Sequence, residues 1–302
     1  MKNTLIVMPG PTGVGKTSIS VELAEHFGCD IISCDSRQFF REMIIGTAAP
    51  DLHQLAKVKH HFVRFLSVTD YYSASLFERD VLTLLPSLFE VNPVAIMTGG
   101  SMLYMDAVCR GIDDIPDTDP AIRKKYIEKY NEEGVEGLRL ALKLLDPVHY
   151  SKVDLRNPRR LMRALEITES TGKPYSSFLT SPKRERDFRI IKAGIKRDSD
   201  DLHSRINLRV DDMIASGLEA EARSLLEYRG LNALNTVGYR EMFSWFDGVI
   251  TLGQAVDLIK RNTRRYAGKQ LTWWGKDPDI QWFDAGQPGT LKKWLTYRVR
   301  ED

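Results

Sequence analysis

Residues 10 to 17 read Gly10-Pro11-Thr12-Gly13-Val14-Gly15-Lys16-Thr17. The run fits the phosphate-loop pattern G-x-x-x-x-G-K-[ST], and about 0.01 such matches are expected by chance at average composition, so composition does not explain it. Working outward, the apolar run Leu5-Ile6-Val7-Met8 precedes it and a helical pattern follows from Thr17 to Phe27. A strand then delivers the loop, and a helix aims its first amides and positive end at an anion. Glycines let the backbone close around that anion. All eight residues are candidate contacts for a diphosphate or a nucleotide such as ATP, with Lys16 on the terminal phosphate and the Thr17 hydroxyl on Mg²⁺. The loop identifies a phosphate, not a reaction.

The 302 residues allow one large or two smaller domains. A net charge of +2 argues neither for nor against a nucleic acid. Cys29, Cys34 and Cys109 show no metal-ligand spacing and read as buried thiols of a reducing cytoplasm. No leader pattern follows Met1, and no apolar run approaches the ~18 residues that would span a bilayer. The expectation is a cytoplasmic protein that does not use a membrane.

Strand and helix patterns alternate over the first part of the chain: strands at residues 30–33, 61–68 and 93–97, a helix over 70–89 and another from Met102. This predicts an α/β fold, a parallel, helix-covered sheet of nucleotide-kinase type with ligands at the carboxyl ends of its strands. The acidic, turn-rich segment 111–120 (GIDDIPDTDP) and the polar segment 180–187 bracket helical patterns at 121–131, 135–145 and 157–171. The simplest organisation is a core of residues 1–115 and 188–302 interrupted by a helical insertion, 116–187. A strand at 189–195 resumes the core. A long helix carrying Ile206, Val210, Met213, Ile214, Leu225 and Leu226 follows, with Gly230 as its cap.

Asp35 follows the second strand, which places a carboxylate near the phosphate loop as a general base, as a ligand for a substrate amine, or as a cap on a following helix. Thr98-Gly99-Gly100-Ser101 ends a neighbouring strand without the acid that an ATP hydrolase often carries there.

Together these segments resemble the tRNA dimethylallyltransferase (isopentenyltransferase) family, bacterial type. The matches are GPTGVGKT at 10–17, DSRQ at 35–38, IGTAAP at 45–50, YSASLFERD at 72–80, GGSMLY at 99–104, NPRRLMRALE at 157–166, ASGLEAEARSLL at 215–226, VGYREM at 237–242 and RRYAGKQLTWW at 264–274. They run in family order over nearly the whole chain. The resemblance implies transfer of a dimethylallyl group from its diphosphate to N6 of adenosine 37 in tRNA, with Mg²⁺ as cofactor and a monomeric enzyme. It implies Asp35 as the base, Thr17 as the Mg²⁺ ligand, Ser101 beside the reacting amine and Arg223 on the diphosphate. Read alone, Arg223 is an i,i+4 partner of Glu219.

On the RNA side the target base must leave its stack. The resemblance makes residues 35–38 (Asp35, Ser36, Arg37, Gln38) and Ser101 tRNA contacts, with Ser36 and Gln38 suited to a base edge. Arg159, Arg160 and Arg163, with Leu161 and Met162 between them, form one basic segment of the insertion. Lys260, Arg261, Arg264, Arg265 and Lys269 recur at helical spacing beside Tyr266, Trp273 and Trp274, a pattern suited to phosphate contact and base stacking. Gly238, Tyr239 and Arg240 complete the expected contacts with the anticodon stem-loop. Residues 60–61 (His-His) have no partner at metal spacing and read as structural.

Three positions depart from the family pattern: Ala49 stands where Lys is common, Lys269 for Arg, and Arg64 for an acid. No Cys/His zinc finger follows before Asp302, as it does in some eukaryotic relatives. The competing readings are a small-molecule kinase, which leaves the basic C-terminal helix unexplained; a non-catalytic RNA-binding module, which leaves the phosphate loop unused; and prenylation of free adenine nucleotides, which the insertion disfavours.

Overall fold

A computed structural model describes residues 2–113, 115–116, 118–180 and 184–301. Asp114 and Asp117 of the first predicted link and residues 181–183 of the second lie outside the described residues. Two compact units divide the chain: Met1–Cys109 with Glu185–Asp302, and Arg110–Arg184.

The first unit is built on six parallel strands in the order β3-β2-β4-β1-β5-β6. They are β1 (Thr4–Pro9), β2 (Ile31–Ser33), β3 (His60–His61), β4 (Val94–Gly99), β5 (Arg189–Lys196) and β6 (Gln281–Asp284). Its helices are α1 (Lys16–Phe27), α2 (Leu52–Lys57), α3 (Ala74–Val91) and α4 (Met102–Arg110), then α8 (Ser199–Ala215), α9 (Leu218–Ser224), α10 (Tyr239–Phe246), α11 (Leu252–Trp274) and α12 (Pro288–Arg300). The second unit holds α5 (Pro120–Leu145), α6 (Pro147–Tyr150) and α7 (Pro158–Thr171).

The central strands are buried on both faces, which is why they read as unbroken apolar runs. Along β1, Ile6 and Met8 join a core made with α1, α8 and α12, while Leu5 and Val7 join one made with α3 and α4. A third cluster gathers α8 to α11 around the segment that follows β2. In the second unit, Leu138 and Leu142 of α5 pack on Leu161, Ala164 and Leu165 of α7.

The outcome differs from the sequence expectation in three places. The strand expected over 61–68 is confined to His60–His61, with an isolated bridge from Phe40 to Leu66. Phe62 and Arg64 adopt positive φ there (61° and 52°), and that ends extended pairing. The long helix after β5 is two helices, because Gly217 (φ 97°) turns the chain between α8 and α9, and Gly230 caps neither. The two helices expected at 121–131 and 135–145 are both present within α5, separated by non-helical backbone at Gly134. The edge strand β6 is too short to announce itself by periodicity.

One buried ion pair fixes the chain's return to the core. Arg186 reaches Glu78 on α3 at 2.6 Å and donates to the carbonyls of Ala107 and Val108 at 2.9 Å. Both side chains are almost fully enclosed. Arg186→Met should therefore destabilise the protein by about 3–5 kcal/mol, because it removes a guanidinium that pairs with a buried carboxylate and satisfies two carbonyls. Urea denaturation measures this, and a loss under about 1 kcal/mol would show that the pair is not a structural anchor.

Candidate active site

β1, β2 and β4 end side by side, so the turns that follow them converge. The turn after β1 is the phosphate loop, whose Gly15 (φ 103°) takes the left-handed conformation that opens α1. The turn after β2 carries Asp35, and the turn after β4 carries Gly99, Gly100 and Ser101. The approach is close: a Cβ on Gly99 would lie 2.0 Å from the Cys34 carbonyl oxygen, so only glycine fits. Cys34 N–H donates to Thr98 O at 2.7 Å, and Ser101 N–H returns to Cys34 O at 3.1 Å.

A cavity of about 540 Å³ opens over these ends, within the usual range for small-molecule sites. Thr12, Gly13, Gly15, Lys16 and Thr17 line it together with Asp35, Ser36, Arg37, Gln38 and Ser101. Gly10, Pro11 and Val14 complete the loop behind this lining. Pro11 and Val14 are buried, and Gly10 packs against Ile195. Lys16 Nζ folds onto the carbonyls of Gly10 (2.7 Å) and Pro11 (2.8 Å). Burial, opposed by the Asp35 charge and reinforced by Arg209, pulls its ammonium down to about 7.

Asp35 Oδ1 accepts from Arg37 N–H at 3.1 Å. No helix follows directly, so Asp35 closes a turn rather than capping a helix. Its charge acts on Lys16, Arg37 and Arg209 together. Ser101 Oγ accepts from Ser36 N–H at 2.8 Å and donates to Ser36 Oγ at 2.9 Å, which locks the two turns together.

Several expected contacts sit elsewhere or are already engaged. Arg223 is not among the cavity-lining residues: it pairs with Glu219 at 3.0 Å and lies over the Phe246 ring at 4.2 Å. Its helix turns that face outward. Arg205 and Arg209 of α8 stand at the loop instead, donating to Gly13 O (3.2 Å) and Thr12 Oγ1 (2.5 Å). Their i,i+4 spacing was the available signal. Gln38 spends both amide protons on the carbonyls of Thr47 and Ala48 at 3.2 Å, leaving none for a base edge. Arg37 donates to the Asn232 and Ala233 carbonyls.

Tyr239 is wholly buried, with its hydroxyl 2.6 Å from Glu221, so it cannot meet RNA; Gly238 and Arg240 beside it do line the cavity. Glu221, unmarked in the sequence, also accepts from the amides of Ile44, Ile45 and Gly46 at 2.7–2.9 Å and so holds the 44–48 wall.

On α11, Arg265 and Lys269 are exposed, while Arg264 is tied to Asn207 and Lys260 to Asp211. Trp274 is core; Trp273 is partly exposed and donates to Asp106 at 2.8 Å. In the second unit Arg159 and Arg160 are exposed and Met162 is partly covered. Leu161 is core, which rules out an RNA contact by its side chain, and Arg163 turns toward Thr118 and Glu166.

The three cysteines are free and buried. His61 meets Asp30 at 2.8 Å, and His60 meets the Val58 carbonyl. Among the described residues no cluster of His, Cys, Asp or Glu could hold a metal, and no helix is long and apolar enough to cross a membrane.

The geometry is that of an α/β enzyme with a P-loop-like fold: the glycine-rich loop after β1 faces a carboxylate across one open cavity. The model of the IPP transferase family matches residues 38–277, and the chain belongs to that family. It is 55% identical over 98% of its length, and 99% of the relative's, to tRNA dimethylallyltransferase 2 of Parabacteroides distasonis. It is 51% identical to tRNA dimethylallyltransferase 1 of Phocaeicola vulgatus, covering 98% of each chain. Among solved structures, a tRNA isopentenylpyrophosphate transferase from Bacillus halodurans superposes with a TM-score of 0.71 at 32% identity, over 99% of this chain and 97% of the other. A eukaryotic dimethylallyltransferase acting on tRNA shares the fold, with a TM-score of 0.80 at 24% identity over 98% of this chain and 77% of the other.

Lys16 supplies a pH test. Its ammonium is half-neutral near pH 7 in the free protein, and a bound anion raises its affinity for a proton. Binding above pH 7 should therefore take up about one proton, and affinity should weaken as pH rises, by at most about tenfold per unit. Calorimetry of dimethylallyl diphosphate binding at pH 8, in two buffers of different ionisation enthalpy, reads the uptake. Equal uptake by wild type and Lys16→Met would remove Lys16 from the anion site.

Proposed function

We propose that this chain transfers a dimethylallyl group from dimethylallyl diphosphate to N6 of adenosine 37 in the anticodon stem-loop of tRNA. The observation that carries the reading is the meeting of Asp35, Ser101 and the phosphate loop in one cavity, in a chain that shares half its residues with named tRNA dimethylallyltransferases.

The loop amides, Lys16 and Arg209 hold the diphosphate and stabilise the charge that grows on it as the C–O bond breaks. N6 attacks the allylic carbon, and Asp35 takes the N6 proton as the C–N bond forms. A positioned base matters because the N6 lone pair is delocalised into the purine ring. Ser101 and Ser36 hold the turn beside that amine.

Mg²⁺ fits the donor set. Thr17 lines the cavity with no hydrogen bond to its hydroxyl among the described residues, and Mg²⁺ takes few protein ligands when phosphates and waters supply the rest. Thr17 would hold it, and it would add charge neutralisation at the diphosphate.

The exposed Arg265 and Lys269 of α11, Arg240 at the cavity and Arg159 and Arg160 of the second unit suit tRNA phosphates. In this reading the enzyme acts as a cytoplasmic monomer on a flipped-out base.

Incubation with unmodified tRNA, dimethylallyl diphosphate and Mg²⁺ should add the mass of one dimethylallyl group at adenosine 37. Consumption of ATP with no tRNA product would replace this reading by a kinase. Asp35→Ala should lower single-turnover transfer by about 10²- to 10⁴-fold with tRNA affinity retained; a collapse of binding with chemistry intact would deny Asp35 the role of base. Arg265→Ala with Lys269→Ala should weaken tRNA binding and reduce its salt slope by about 2. An unaltered slope takes α11 out of the RNA footprint.

A further inference from the structure

Gln270 sits near the end of α11, fully buried. Its Oε1 accepts from the backbone N–H of Thr12 in the phosphate loop at 2.8 Å, and its Nε2 donates to the carbonyl of Gly100 at 2.8 Å. One turn earlier on the same helix, the Tyr266 hydroxyl donates to that Gly100 carbonyl at 3.1 Å. Two side chains of α11 thus hold one peptide of the turn that leads into Ser101. One of them also holds the loop that grips the anion. The neighbouring face of the helix carries the exposed Arg265 and Lys269.

We infer that Gln270 is a positioning residue for transfer, tying the phosphate loop to the Gly100–Ser101 turn so that the donor's carbon and the acceptor's amine meet at a fixed separation. The inference rests on the transferase reading above.

Among the described residues no other side chain hydrogen-bonds both turns. β1 and β4 are paired only as far as Pro9 and Gly99, and both loops run on past the ladder. Beyond it the two turns meet through the amide of Gln270, whose acceptor and donor ends match the two backbone groups they serve. The space around the link is full. A Cβ on Gly100 would lie 2.9 Å from Gln270 Nε2 and 3.3 Å from Asp35 Oδ2, so the link and the carboxylate flank the same Cα. Misplacement of reacting groups by about 1 Å can cost 10²-fold in rate. Loss of the link should therefore appear in the chemical step and not in substrate capture.

The test compares wild type, Gln270→Leu, Tyr266→Phe and Gly100→Ala, each as the full chain. Single-turnover transfer is measured with saturating tRNA and donor, and tRNA Kd separately, at a temperature where circular dichroism shows each variant folded. Gln270→Leu should slow the single-turnover step about 10- to 100-fold with tRNA Kd within about twofold. Tyr266→Phe should slow the same step less, since it removes one of two donors to a single carbonyl. A folded Gln270→Leu with the wild-type rate, or a loss confined to Kd, overturns the inference. If Gln270→Leu does not fold, Gly100→Ala strains the same contact from the other side, and its unchanged rate is equally fatal. A wild-type protein that modifies no tRNA sinks the transferase reading and this inference with it. An active wild type beside an equally active Gln270→Leu sinks this inference alone.

Discussion

The site depends on how closely the ends of β2 and β4 approach. The Cys34 carbonyl lies against the Cα of Gly99, and reciprocal backbone hydrogen bonds run from Cys34 to Thr98 and from Ser101 to Cys34. That contact fixes the separation of the two turns bearing Asp35 and Ser101. Because β4 also pairs with β1, the same contact sets both turns relative to the anion cradle. A methyl group at residue 99 would drive the strand ends apart and move every functional group above them. The chemistry is thus anchored in backbone packing, and the side chains inherit their positions from it.

A second layer of order comes from the C-terminal helices. α8 brings Arg205 and Arg209 to the phosphate loop, and α11 brings Tyr266 and Gln270 to the turn after β4. These helices complete the sheet's active edge, and the buried pair Arg186–Glu78 secures the point where the chain re-enters the core. An insertion of some seventy residues (Arg110–Arg184) is tolerated because the fold on either side is pinned at that re-entry.

Much of this was legible in the sequence, for physical reasons. The parallel sheet announced itself as apolar runs because strands buried on two faces need apolar residues at every position. The phosphate loop was legible because few residue types permit its backbone. Asp35 was legible because it follows a strand, whereas the role of Ser101 came from the resemblance. Long-range pairing was not. Nothing local distinguishes Gln270 from a solvated glutamine, or Glu221 from an acid in the first turn of a helix, and Gln38 looked free for a base because its partners, Thr47 and Ala48, lie across a turn. Arg223 was assigned by resemblance alone, while the local i,i+4 reading with Glu219 matches the contact observed. Tyr239 was expected at the tRNA by resemblance, yet the chain there folds inward and buries the ring beside Gly46.

Glu221 gathers three amides of the 44–46 segment and the Tyr239 hydroxyl on one carboxylate, and Gly46 leaves room only for the bare tyrosine ring. Positions 46, 221 and 239 therefore form a single unit of inheritance. A lineage that altered one would lose the shape of the cavity wall until the other two had changed.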